Sequence, residues 1–292
     1  MTSSADATWL EEADWQRLRG AHEARVHAWT EPHLARLRRG DRHPVYDFLF
    51  EYYRFKPALL RRWHPGPGVW LKGESAREFL RWREYRETAD GVAVDPASLK
   101  NERVASVRWL LAMLRGSRER PAFYGCFGLH EWAMVYRSPE IRHAAWPMRF
   151  PAAEIARIVE AQPVRCTHFD AFRFFTPEAR PLNRVQPTRE TSAQHEQRGC
   201  FHANMDLYKW AFKLAPFSPS ELMVDAFALA REIREADMRA SPYDFSALAL
   251  APIPIETSEG RAEYESLQRS FAERATPIRD RLISLCEKLL IR

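Results

Sequence analysis

Along most of the chain, hydrophobic positions recur at helical rather than alternating intervals. Trp9, Trp15, Leu18, His22, Val26 and Trp29 predict a first helix through "WLEEADWQRLRGAHEARVHAWTEPHLARLRR", broken near Pro32 and Gly40. "PVYDFLFEYYRFKPALLRRW" predicts a second helix after His43, with Pro44 in its first turn. "HPGPGVWLKG" is dense in proline and glycine and predicts a loop, with a short extended piece at Val69 to Leu71. Further helices are predicted over 75–87, 98–115, 120–136 and 151–161. "THFDAFRFF", residues 167–175, fits either a strand or a helical turn.

Residues 176–199, "TPEARPLNRVQPTRETSAQHEQRG", carry three prolines and few large aliphatic side chains, which predicts a long polar connection. Loops of that length inside a folded domain are usually binding loops or lids. "GCFHANMDLYKWAFKL", residues 199–214, then predicts a helix that is apolar on most sides. Its narrow polar stripe holds His202, Asp206, Lys209 and Lys213. Ser218 and Glu221 form a capping box with Pro219 in the first helical position, so a helix should run to about Arg239 and stop before Pro242. A last helix is expected over about 258–290. No internal repeat, sustained heptad array or low-complexity tract interrupts the pattern.

The expectation is a mainly α protein, a compact single-domain helical fold over 1–292 with a long central polar loop, and not a solenoid. Composition agrees: 46% of the 292 residues are hydrophobic and 12% aromatic, enough to build a core. No apolar run reaches the roughly 18 residues of a membrane span, and the N-terminus is polar and acidic, so no membrane partner is expected. The 4 cysteines are scattered without zinc-ligand spacing, which points to reduced thiols in a cytoplasm. Net charge is +5, and the basic excess lies in residues 1–146, the N-terminal half. Arg38 and Arg39, with Arg61 and Arg62 among aromatics, read either as a solvated face or as a phosphate-contacting nucleic-acid surface.

Candidate chemistry gathers in the C-terminal half, 147–292, where polar clusters interrupt apolar sequence. These are "HFDAFR" (His168, Asp170, Arg173), "TRETSAQHE" (Arg189, Glu190, Gln194, His195, Glu196), "HANMD" (His202, Asn204, Asp206) and "DMRASPYD" (Asp237, Arg239, Tyr243, Asp244). Ionisable side chains beside buried surface need partners or water, so such clusters tend to line one another or a cleft. His168, Asp170, His202 and Asp206 are the candidate catalytic groups, because a carboxylate beside an imidazole makes an acid/base pair. They are expected to meet in one cavity covered by segment 176–199. Arg173, Arg189, Gln194, Asn204, Tyr208, Arg239, Tyr243 and Asp244 are candidate substrate contacts.

No cofactor is required by these residues, although two histidines with two or three carboxylates would suit iron or zinc. HExxH is absent, as is the carboxylate-plus-ExxH pattern of di-iron bundles, and "GLHEWAMVYR" (His130, Glu131) lacks a second histidine one turn on. Phosphate-binding glycine loops and the GxSxG elbow are also missing.

"HPVYDFLFEYYRFKPALLRRWHPG", "FGLHEWAMVYR", "THFDAFRFFTPEARPLN", "CFHANMDLYKWAFKL" and "DMRASPYD" together resemble a bacterial family, common in actinobacteria, that bears the label 3-methyladenine DNA glycosylase. The resemblance implies hydrolysis of the N-glycosidic bond of alkylated purines in duplex DNA. A carboxylate (Asp170 or Asp206), an aromatic wall (Tyr208 or Trp210) and a basic track would meet that chemistry. The helix-hairpin-helix glycine signature of known glycosylases is absent, and no catalytic residue is carried over from them. The alternatives are a metal-assisted enzyme acting on a small nucleobase-like or carboxylated metabolite, and a helical module that binds without catalysis.

Overall fold

The structure is a computed structural model that describes residues 8–139 and 145–291. It is mainly helical, 57% of it helix, with a small four-stranded sheet, and is not a solenoid. Its α-helices are α1 (Glu12–Arg39), the single turns α2 (Phe48–Glu51) and α3 (Pro57–Leu60), α4 (Asn101–Glu119), α5 (Leu129–Ala133), α6 (Ala152–Glu160), α7 (Phe169–Phe172), α8 (Ser192–His195), α9 (Phe201–Lys213), α10 (Ser220–Arg239) and α11 (Ser258–Leu290). The strands are β1 (Thr8–Leu10), β2 (Val69–Leu71), β3 (Tyr85–Thr88) and β4 (Gly91–Val94).

Most of the long periodic segments fold as their pattern predicts, but α1 departs from it twice: Trp9 and Leu10 lie in β1 rather than in the helix, and the helix does not break at Pro32, whose ring faces solvent, but runs on to end at Gly40. There a left-handed residue (φ 73°) lets the cap N–H reach the carbonyls of Arg36 and Leu37. α9, α10 and α11 lie within two residues of expectation, as does the start of the extended piece at Val69.

Three predicted helices are not formed as drawn. The one after His43 breaks into α2 and α3 because Pro57 holds Lys56 extended and Arg54 adopts a left-handed φ of 55°. Its aromatics turn to a cluster instead, with Phe55 stacked on Phe212 at 3.9 Å. Residues 75–87 form a 3-10 helix, Glu74–Arg81, and then enter the β3–β4 hairpin. Residues 120–128 are not helical: Pro121 ends α4, and only α5 remains of that prediction.

Strand order in the sheet is β1-β2-β4-β3, with β1 parallel to β2 and the other pairs antiparallel. Gly91 opens β4 at φ 128°, and a Cβ there would stand 2.5 Å from the Leu71 carbonyl oxygen, so only glycine fits this approach.

Contacts divide the chain into two units, neither of which coincides with the halves on either side of residue 146. The first contains residues 1–112, 207–228 and 278–292 and the second 113–206 and 229–277, so α4, α9, α10 and α11 each contribute to both. In the first, Trp15 is fully buried, stacks on Trp63 at 6.4 Å and donates its indole N–H to the Lys72 carbonyl at 3.0 Å. In the second, Phe201 stacks on Tyr264 at 4.6 Å, and Trp132 donates to the Ala240 carbonyl at 2.8 Å.

Candidate metal centre

Within the second unit, Phe127 (φ 44°) and Gly128 (φ 68°) are both left-handed and turn the chain sharply into α5. A bulky residue in that conformation is costly, and such strain is found where surrounding structure over-determines a position. The turn delivers His130 and Glu131, both buried, to α10. His130 Nε2 lies 3.2 Å from the Asp237 carboxylate. Arg234, one turn earlier on α10, points Nη1 at Glu131 (3.1 Å) and Asp237 (3.5 Å). Tyr264 of α11 donates its hydroxyl to Asp237 at 3.5 Å.

The polar stripe of α9 enters the same region. His202 packs edge-on against His130, with ring centroids 4.5 Å apart, and holds Nε2 4.0 Å from Asp237. Asp206, one turn on, lies 3.3 Å from Nε2 of His168, the residue that leads into α7. His168 Nε2 is also 3.8 Å from Glu196, which directly follows α8, and its ring stacks on His202 at 5.2 Å. Two three-residue sets result: His130, His202 and Asp237, and His168, Glu196 and Asp206. In each, one ligand atom per residue lies within 4.8 Å of the others. α9 supplies one member to each.

Burial and neighbouring charge set the protonation of the first set. Burial would raise Asp237, but the His130, His202 and Arg234 charges and the hydrogen bond from His130 hold it well below the usual carboxylate range. Burial, reinforced by the charges of His130 and His168, drives His202 well below its ordinary value, so its ring is neutral and offers a lone pair. For His130 burial acts downward too, yet attraction and hydrogen bonding to Asp237 outweigh it and the pKa is raised. The ionised Asp237 carboxylate and the neutral His202 ring are ready donors for a divalent ion, whereas His130, held toward its protonated form by Asp237, must release its proton to join them.

A cavity of about 20 Å³ adjoins this set, lined by His130, His202, Gln197, Cys126, Cys166 and Cys200 among others. That space holds about one water. Burial pushes all three thiols up, Cys166 to about 12, so in the absence of a metal they remain protonated.

Of the four residues proposed as catalytic, His168, His202 and Asp206 come together, although only His202 lines the cavity, and Asp170 does not join them. Asp170 sits on the outward side of α7, paired with Arg173 at 3.2 Å, because helical geometry turns it away from His168. Segment 176–199 supplies Glu196 to the second set and Gln197 to the cavity, while Arg189 and Gln194 are exposed.

The other candidates serve local structure. Asn204 donates to the Arg198 carbonyl, Arg239 to that of Ala251, and Asp244 accepts from Ser246 N–H. Tyr243 is buried and bridges Met148. Tyr208 belongs to the first unit, where Phe55 and Phe227 enclose it. Arg38 and Arg39 pair with Glu31 and Asp41, and Arg62 lies over the Trp82 ring. Arg61 and Arg62 line a 280 Å³ surface depression together with Glu23 and Glu78.

Sequence reasoning left His130, Glu131, Glu196 and Asp237 outside the proposed catalytic set and did not single out Arg234. The available signal was the pair His130–Glu131 inside the otherwise uncharged stretch "YGCFGLHEWAMVY"; nothing local marked Glu196, Arg234 or Asp237. No family model, curated protein or solved structure matches the chain.

Proposed function

We propose that this protein is a metal-dependent enzyme acting on a small substrate, with His130, His202 and Asp237 holding its catalytic ion. The observation that carries this reading is their convergence, from three separate helices, beside a water-sized cavity. Two imidazoles and one carboxylate on one side of an ion leave positions open for substrate. Their donors are nitrogen and oxygen, which suits iron or zinc. A divalent ion there supplies Lewis acidity and lowers the pKa of a water that it holds.

The chain's own groups account for orientation and charge. Arg234 and Tyr264 hold the Asp237 carboxylate in position, as partners outside the ligand set must do to fix its angle. Glu131 places a second carboxylate 3.9 Å from His130 Nε2 and pairs with Arg234 at 3.1 Å, so it adds negative charge beside the site and anchors the guanidinium that steadies Asp237. The cavity beside the histidines admits a reacting group of about one water in size.

The ligand sets, and not the size of this cavity, favour this reading over excision of an extruded base, since a space for one water excludes a purine and any other organic substrate alike. Metal analysis of the purified protein tests it: about one or more equivalents of zinc or iron per chain are expected, with about one equivalent fewer in His130→Ala. Duplex DNA carrying 3-methyladenine should release no base. Metal-free wild type that fails to take up added zinc or iron(II), or base release that is lost in Asp206→Asn, would overturn the proposal.

A further inference from the structure

We infer that His168, Glu196 and Asp206 bind a second divalent cation, so that the centre holds two ions side by side, one on each ring of the His202–His168 stack. This deepens the proposed function and rests on the first site being a metal site. Geometry carries it. Neither carboxylate makes a close ion pair with the imidazole: Asp206 meets His168 Nε2 in a long hydrogen bond of 3.3 Å, and Glu196 stands 3.8 Å from the same nitrogen.

Those separations instead match neighbouring ligands on one ion: bonds of about 2.1 Å place ligand atoms roughly 3 to 4 Å apart. The three donors also come from three backbone segments, the entry to α7, the end of α8 and α9, and all are buried. Chance surface clusters of acids do not share those properties.

The two sets are coupled by construction. His202 and Asp206 are one helical turn apart on α9, so their side chains leave the same face and each faces a different set. The stacked rings of His202 and His168, 5.2 Å between centroids with planes at 22°, place the two ligand sets side by side. Ions of two-metal sites stand about 4 Å apart and clamp one oxygen ligand between them. The second ion would therefore share a small oxygen ligand with the first, and the substrate class narrows to one whose reacting oxygen can bridge two cations, such as a carboxylate, a phosphate ester or water itself.

Titration of the metal-free full-length protein with manganese(II), read by bound-metal analysis and by electron paramagnetic resonance, tests the inference. Wild type should bind two equivalents and give an exchange-coupled signal. Asp206→Asn and, separately, Glu196→Gln should bind one and give the six-line spectrum of an isolated ion. Using two variants guards against one that does not fold, and the wild-type stoichiometry decides independently of both. One equivalent in wild type, retained in Asp206→Asn but lost in Asp237→Asn, would overturn the second ion and leave the proposed function standing. No binding in wild type would remove both.

Discussion

Asp47, fully enclosed in the first unit, shows how single residues carry stability here. It accepts from His33 Nδ1 at 2.8 Å, from the Arg36 guanidinium and from the His43 N–H at 2.8 Å. Burial alone would raise its pKa, but these partners hold it below the usual carboxylate value. Asp47→Ala leaves the buried His33 ring and the half-buried Arg36 guanidinium without this partner and should cost about 2 to 3 kcal/mol, read from urea unfolding. His64 behaves oppositely. Burial, with the nearby Arg62, holds its pKa down to about 4, and its Nδ1 lies 2.9 Å from the Tyr85 hydroxyl. The unfolded chain takes up this proton below about pH 6.5, whereas the folded chain does so only near 4. Its contribution is therefore complete above pH 6.5 and falls by about 3 kcal/mol as pH drops to 4. His64→Gln should flatten that part of the stability–pH curve; an unaltered slope would reject the assignment. The raised thiols make a third expectation. Cys126, Cys166, Cys200 and Cys286 should react with a thiol reagent at pH 8 far more slowly in the folded protein than in denaturant.

At the level of elements, the site depends on how short helices are aimed. α5 has only five residues and little helical stability of its own, so its direction comes from the left-handed pair Phe127–Gly128 and from packing. A Cβ at Gly128 would meet Tyr264 Cε2 at 3.3 Å and Ala240 Cβ at 3.4 Å, while also requiring an unfavourable φ. Gly128→Ala should destabilise by about 1 to 3 kcal/mol and shift His130. Metal affinity should fall on the order of 10- to 100-fold, as when ligand orientation is lost. Isothermal titration with zinc checks this, and unchanged affinity would mean that α5 is positioned by other contacts. α9 is the opposite case: a long, buried helix whose i,i+4 stripe delivers His202 and Asp206 without special backbone geometry. That stripe was readable from residue spacing. The aim of α5, α7 and the end of α8 was not, because helices of four or five residues have too few turns to show a periodicity.

Across the whole molecule, charge and hydropathy bound the partners. Among the described residues no helix is long and apolar enough to cross a membrane. The basic excess of the N-terminal half is partly spent in surface pairs such as Arg38–Glu31 and Arg39–Asp41, which are worth little individually and weaken with salt. Replacing Arg38, Arg39, Arg61 and Arg62 with alanine should lower the salt dependence of any duplex-DNA binding while leaving the metal content unchanged. Loss of metal in that variant would contradict the assignment of the centre to the second unit alone.

Sequence by itself determined the mainly helical class, the long helices α1, α4, α9, α10 and α11, and the extended piece at Val69, because burial of a regular element writes its period into the chain. It also located His168, His202 and Asp206. Tertiary structure decided the β3–β4 hairpin, the broken helix after His43 and the membership of the two ligand sets. Those sets draw on residues from 130 to 237 that approach only through long-range packing, and no local spacing records which distant carboxylate a histidine will meet. The helical turn of α7, where a strand would have kept both on one face, put Asp170 on the side away from His168.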